Sequence, residues 1–382
     1  MQKTSGLKPL LKYPGGKTAE LDLILSWLPS RIENYIEPFV GGGAVFFSIS
    51  GAEKYYINDI SRELILLYKY VKSQNSTFFQ ELDFLIKNWE QLASLMKTDR
   101  LATLYFAYRN LPSLNLEESV SDAIDEALPD EPMFNLFNSE ILTKYFKKRV
   151  VDKMLSMKKN EIKRNRLLGD VEIHENLEAG IKSAYYMYFR DAYNNPKAFR
   201  KFSDQRQAAI YFFIREYCFS AMFRFNRNGE FNVPYGGVSY NKKSLQPKKN
   251  YFKNPVLKEH LGKTEIFNKD FHEFLKTIDI NENDFMFLDP PYDTTFSEYD
   301  ENSFGQEDQR RLADYLINDC PCNFLLIIKK TPFILSLYEN KNLHISENPK
   351  NYFVSFMNRK KEDREVTHLI ITNYAQTGGE HE

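Results

Sequence analysis

Hydrophobic residues group in two ways along this chain. Near both ends they form short solid runs that stop at an acid or a glycine, whereas between about residues 62 and 220 they recur at helical spacing among charges. The first pattern predicts buried strands of a parallel sheet and the second predicts helices. Residues 35–40 read as a strand running into Gly41-Gly42-Gly43, with an apolar helix over 44–49 after the turn. Residues 54–59 read as a strand ending on Asp59, 264–271 as one ending on Asp270 and Phe271, and 285–288 as one ending on Asp289. A further strand is expected over 324–328, preceded by a helix over 307–317, and 352–356 with 367–372 should form an antiparallel pair. The alternation predicts an α/β fold built from residues 1–71 and 251–382, with a mainly helical insert over 72–250.

Within the insert, Asn228-Gly229 lies between two short strand-like runs and predicts a β-hairpin. Arg224, Asn226, Arg227 and Asn232 crowd that ribbon, and Arg and Asn are the side chains that pair bidentately with guanine and adenine in a major groove. Lys242, Lys243, Lys248 and Lys249 add positive charge just beyond it. The aromatic run 185–189 suits a core better than a stacking surface. An acidic stretch over 116–131 precedes a basic one over 144–166, which reads either as a solvated helix face or as a phosphate-contacting surface.

Composition narrows this picture only a little. A chain of 382 residues, 42% hydrophobic and 27% charged, is long enough for two domains of an ordinary globular protein. The formal net charge of -1 excludes a generic polyanion binder, so any nucleic-acid surface must come from local clustering. Cys218, Cys320 and Cys322 give neither a disulfide framework nor a zinc spacing, and point to a reduced, cytoplasmic setting with no metal. No apolar run reaches the roughly 18 residues of a membrane span.

The candidate chemistry sits where strands stop. Asp289-Pro290-Pro291-Tyr292 ends its strand because proline cannot continue a ladder. A carboxylate, a rigid carbonyl and an aromatic ring are thereby placed at a strand's C-terminal edge, where open α/β sheets bind ligands. Those groups suit a flat, amine-bearing substrate such as a nucleobase. Two acceptors on the amine would localise its lone pair, and the ring would wall an extruded base. The glycine turn, followed by Asp59 at somewhat under the roughly 20-residue spacing of a ribose-binding acid, suits a nucleoside cofactor. A phosphate-binding loop at Gly16-Lys17-Thr18 is disfavoured, because the position that such a loop fills with glycine is Leu11.

Taken in order, these segments resemble the Dam-like family of DNA N6-adenine methyltransferases. Leu11-Lys12-Tyr13-Pro14-Gly15-Gly16-Lys17 and Glu37-Pro38-Phe39-Val40-Gly41-Gly42-Gly43 are similar to its two cofactor segments, and Asn58-Asp59 to its ribose acid. The stretch from Arg224 to Gly236 resembles its DNA-reading hairpin, Asn268-Lys269-Asp270-Phe271 its adenine-binding segment, and Asp289 to Tyr292 its catalytic tetrad. Val366-Thr367-His368-Leu369 resembles its closing strand.

The resemblance implies a Rossmann-like, S-adenosylmethionine-dependent methyltransferase sheet carrying an inserted DNA-recognition domain. It implies that Tyr13, Gly16, Lys17, Glu37, Pro38, Phe39, Gly41, Gly43, Asp59, Asp270 and Phe271 bind the cofactor. Asp289, Pro290, Pro291 and Tyr292 would be catalytic. Arg224, Asn226, Arg227, Asn228, Asn232, Pro234 and Tyr235 would meet double-stranded DNA. A monomer is implied, with a cognate restriction endonuclease system as candidate partner. RNA or protein-amide methylation, and a non-catalytic DNA-binding module, are the alternatives. Residues 95–205 match no part of the family pattern.

Overall fold

A computed structural model describes residues 5–13, 15–111, 113–127, 139–196, 202–292, 304–351 and 365–376, without the side chains of 350, 351, 365 and 366. Pro14, Asp130, Glu131 and the expected 352–356 strand lie outside the described residues. The chain divides into two compact units, one made of Met1–Lys72 with Asn254–Glu382 and the other of Ser73–Lys253.

The first unit is built on a sheet of seven strands in the order β3-β2-β1-β4-β5-β7-β6. These are β1 (Asn34–Glu37), β2 (Lys54–Asn58), β3 (Thr264–Phe267), β4 (Phe285–Leu288), β5 (Asn323–Lys329), β6 (His344–Asn351) and β7 (Glu365–Thr372). The first five run parallel, and β7 is antiparallel to both β5 and β6. Every residue of β4 is buried, as expected for a central parallel strand covered on both faces. Helices α1 (Leu21–Ser26) and α2 (Arg62–Lys72) follow the N-terminal segment and β2.

The helix expected over 44–49 is a single 3-10 turn at Phe46–Ser48. Val45, Phe46 and Phe47 are all buried, so the run has no polar face to turn outward as an amphipathic helix would.

The second unit contains α3 (Ser76–Leu95), α4 (Thr98–Asn110), α5 (Leu116–Ala127), α6 (Ser139–Arg164), α7 (Asp170–Asn194), α8 (Asp204–Tyr217) and α9 (Gln246–Tyr251). Tyr185, Tyr186, Tyr188 and Phe189 of α7 are fully buried, and Trp89 of α3 meets Tyr217 at 4.1 Å between ring centres. The aromatic run is therefore core. The acidic and basic stretches neutralise each other in part. Lys147 of α6 pairs with Asp125 of α5 at 2.6 Å, while Glu161, an acid within the basic stretch, pairs with Arg109 of α4 at 3.2 Å.

Beyond the insert, α10 (Pro255–Gly262) leads into β3, α11 (Phe271–Leu275) follows it, and α12 (Gln306–Asn318) precedes β5. Helix α13 (Pro332–Tyr338) follows β5. Leu312, Ala313 and Leu316 of α12 are buried in the same apolar cluster as Met286, Leu288, Phe324 and Leu326 of the sheet.

Candidate active site

Strands β1 and β4 are neighbours, and the sheet grows outward from them in opposite directions. A ligand crevice is expected at the carboxyl ends of such a pair. The glycine turn leaves β1 there, and Asp289 leaves β4. Gly41 and Gly43 have φ of +48° and +76°. A Cβ on Gly43 would lie 2.5 Å from the Tyr68 hydroxyl, so packing as well as backbone shape demands glycine. Tyr13 lies against the turn, 3.1 Å from where a Cβ on Gly41 would stand. The Gly16 amide closes a tight turn onto the Tyr13 carbonyl at 3.1 Å.

Asp59, at the end of β2, holds this turn. Its Oδ2 accepts from the Gly41 amide at 3.0 Å and its Oδ1 from Ser61 at 2.9 Å. A carboxylate offers about four acceptor positions, so two remain for a diol. Asn58 is a positioning residue beside it. Its amide donates to the carbonyls of Pro38 and Lys269 at 3.1 and 3.0 Å and accepts from the Lys269 amide at 2.9 Å. It thereby ties the loop bearing Phe39 to the loop bearing Asp270 and Phe271, whose aromatic rings lie 5.6 Å apart. Asp270 caps α11 through the His272 amide at 3.0 Å. Partial burial pushes its acid upward, but Arg311 and the helix amides outweigh that and hold it below the ordinary range.

At the tetrad, Lys17 reaches Asp289 across 272 residues of sequence. Its Nζ lies 2.5 Å from Asp289 Oδ1, 2.9 Å from the Tyr292 hydroxyl and 3.1 Å from the Gly15 carbonyl. The lysine side chain is 2% exposed and that of Asp289 is 20% exposed. Burial raises the Asp289 acid above its ordinary value, with Lys17 opposing. Burial likewise raises Glu37 and Asp59, and Glu37 accepts from the Tyr35 hydroxyl at 2.6 Å. Glu20, Glu37 and Asp59 are buried and Asp289 nearly so, with Lys17 as the buried lysine among them. Burial disfavours the charged forms of Glu37, Asp59 and Asp289, and a cationic ligand beside them would favour those forms again. His368 of β7 packs edge-on to the Tyr292 ring at 5.4 Å and lies 3.5 Å from Glu20.

The ribbon of the second unit is short. Phe225 bridges Phe231, Cys218 bridges Tyr235, and Gly229 takes φ +72° at the tip. Arg224, Arg227, Asn228 and Pro234 are exposed. Arg224 Nε donates to Asn232 Oδ1 at 2.8 Å across the ribbon. Asn226 and Tyr235 are engaged within the unit instead. Asn226 Oδ1 accepts from the Asn228 and Glu230 amides at 2.9 and 3.0 Å, which builds the turn. Tyr235 is 8% exposed and packs on Trp89. Asn194 of α7 pins the ribbon like an added strand, donating to the Phe231 carbonyl at 3.0 Å and accepting from its amide at 2.9 Å.

Phe219 was not singled out by the sequence pattern. It is 48% exposed, and Ser220 and Ala221 behind it both take positive φ without being glycine. Strain of that kind concentrates at functional sites. A lone phenylalanine just before a hairpin carries no sequence signal for it.

Comparison with known proteins decides the family. Residues 13–165 and 150–351 match the profile of the D12 class N6 adenine-specific DNA methyltransferases. The chain belongs to that family. Among its relatives is the Type II methyltransferase M.CviBI of Paramecium bursaria Chlorella virus NC1A, 26% identical over 373 residues, covering 96% of this chain and all of the relative. The Type II methyltransferase M.MjaIII of Methanocaldococcus jannaschii is 26% identical over 96% of this chain and 99% of its own length. The DNA adenine methylase of Escherichia coli K12 is 22% identical over 93% of each chain. Among the described residues no helix is long and apolar enough to cross a membrane.

Proposed function

We propose that this D12 class enzyme transfers a methyl group from S-adenosylmethionine to N6 of an adenine extruded from double-stranded DNA. The observation that carries the reading is the meeting of the glycine turn and Asp289 at the carboxyl ends of the adjacent strands β1 and β4. The residues fit the cofactor: Asp59 for the ribose diol, Phe39 and Phe271 for its adenine, Asp270 for the adenine's amine, and buried acids for a cation. When bound, S-adenosylmethionine supplies an activated methyl on a sulfonium.

The chain's own residues do the rest. Asp289 and the Pro290 carbonyl accept hydrogen bonds from the target amine and draw its lone pair out of the ring. The Pro290 ring fixes its φ and the ring of Pro291 restricts its ψ, so that carbonyl is held in place. Tyr292 stacks on the extruded base. The amine gives up one proton as the carbon–nitrogen bond forms, and Asp289 is placed to take it. Orientation of the two reactants contributes much of the rate. Arg224, Arg227, Asn228, Asn232 and Pro234 face the DNA, Asn226 and Tyr235 shape the ribbon from inside, and Phe219 supplies an apolar wedge for the base stack. The enzyme works as a cytoplasmic monomer in a restriction-modification setting, as the Type II names of M.CviBI and M.MjaIII suggest.

The test is expression in a methylation-free bacterial host and modification-sensitive long-read sequencing of its DNA. N6-methyladenine at one short motif is expected, and its absence from a host making folded, cofactor-binding protein would overturn the reading. Arg224→Ala should cost about 1–3 kcal/mol of discrimination at one position of that motif. An unchanged preference across site variants would remove Arg224 from base reading.

A further inference from the structure

The start of helix α12 reaches two parts of the site that lie on different loops. Gln309, fully buried on its first turns, donates from Nε2 to the Pro291 carbonyl at 3.0 Å. Two residues on, Arg311 grips Asp270 with both arms of its guanidinium, Nη2 to Oδ1 at 2.7 Å and Nη1 to Oδ2 at 3.3 Å. The same guanidinium lies over the Phe271 ring at 5.0 Å. Asp308 aims it, accepting from Arg311 Nη1 at 2.7 Å while its other oxygen accepts from the Gly305 amide at 3.1 Å and closes the helix start. Gln309 contacts the backbone of the catalytic tetrad, and Arg311 contacts the acid assigned to the cofactor's adenine.

We infer that Gln309 and Arg311 are separate positioning residues on one helix, Gln309 setting the tetrad for methyl transfer and Arg311 setting Asp270 for cofactor binding. The inference rests on the methyltransferase reading given above. The local geometry shows why each is needed. In Pro290-Pro291 the rings fix both φ angles, so the ψ of Pro291 is the freedom that swings Tyr292. A hydrogen bond on the Pro291 carbonyl removes that freedom and aims the stacking ring. At Asp270, a carboxylate can rotate about its last bond, and a forked guanidinium holds its plane where a single ammonium would not.

Each residue acts through another, Gln309 through the Pro291 carbonyl and Arg311 through Asp270, so the test must separate positioning from simple support of the fold. Gln309→Leu, Arg311→Met and Arg311→Lys are compared with Arg310→Met, a neighbour that faces away and pairs with Glu307 at 3.3 Å. Measured for each are the melting temperature, the S-adenosylmethionine dissociation constant, and the single-turnover methylation rate at saturating cofactor.

Gln309→Leu is expected to slow transfer about tenfold or more with the cofactor constant unchanged, and to reduce quenching of 2-aminopurine at the target position. Arg311→Met is expected to raise the cofactor constant about tenfold with the saturated rate unchanged. Arg311→Lys should recover only part of that loss, and Arg310→Met should match wild type. Parallel loss of both parameters and of melting temperature in both variants would make α12 a structural support only, and wild-type values in both would remove the two residues from the site. A wild-type protein that neither binds the cofactor nor methylates DNA would instead overturn the functional reading itself.

Discussion

Asp289→Ala is expected to slow single-turnover methyl transfer by roughly 10²–10³-fold, the usual effect of losing one positioned group on the reacting atoms. The variant also takes the carboxylate from a buried lysine, since the Lys17 side chain is 2% exposed, and leaves it only the Tyr292 hydroxyl and the Gly15 carbonyl of the contacts given above. Removing one member of a buried pair can cost about 3–5 kcal/mol, whereas removing both costs little. Lys17→Met combined with Asp289→Ala should therefore regain the melting temperature while staying slow. A double variant with wild-type transfer would place the amine's acceptor elsewhere.

The pH dependence of transfer has the matching sign. Asp289 works as a carboxylate, and burial holds its acid above the ordinary value of about 3.9 against the opposing pull of Lys17. Activity should be full above the raised value and fall as pH drops through it. Lys17→Met alone removes the cation and should move the acid limb higher still. A limb that stays put would mean that another group controls the profile.

Glu216→Gln should produce the second large effect, on stability rather than chemistry. Glu216 lies at the end of α8, 5% exposed, and takes Lys248 at 2.5 Å and Lys243 at 3.0 Å. Those contacts close the base of the ribbon, reinforced by the Tyr217 hydroxyl on the Lys243 carbonyl at 2.7 Å. Both lysine side chains are about a third exposed and can rehydrate, so the expected loss is about 1–3 kcal/mol, below that of a sealed pair.

Burial pushes the Glu216 acid up, but the two lysines outweigh it and hold the acid below its ordinary range. The stabilisation is thus present above the unfolded value of about 4.3 and is lost as pH falls through the folded one. Denaturation of both proteins at neutral and acid pH checks this. The gap between them should narrow in acid, and a constant gap would mean that charge plays no part.

The parallel strands were legible because most are short apolar runs cut off by a polar residue, although β3 stops at Phe267 and Phe271 opens α11 instead of ending the strand. Asp59 and Asp289 mark such ends, and the structure puts both at the carboxyl edge of one sheet. Strand β6 was not legible. Its sequence His-Ile-Ser-Glu-Asn-Pro-Lys-Asn is polar and contains Pro349, which is tolerated because β6 is an edge strand paired only with β7. The apolar 352–356 carries the stronger strand pattern, yet β7 pairs with 344–351.

Within the site, residues next to their motif were readable and residues arriving from far away were not. Nothing local marks Lys17 as the partner of Asp289. Gln309 and Arg311 look like the polar positions of any amphipathic helix. Asn226 has a base-reading residue type, yet its side chain folds the turn, because an asparagine can bond its own backbone two residues on.

The way β1 is flanked sets an order of assembly. Its neighbour β2 is near in sequence, but its other neighbour β4 lies about 250 residues on, as the Asn34–Asp284 hydrogen bond shows. The second unit is continuous in sequence and is made while the sheet is still two strands wide. At ~5–20 residues per second, its synthesis leaves β1 and β2 waiting about ten seconds or longer with an open edge. During that interval Asp289 has not yet been made, so a nascent chain carries the ribbon of the second unit before its sheet has a tetrad. Stalled or truncated translation would then yield a chain that carries the whole second unit and lacks Asp289 altogether.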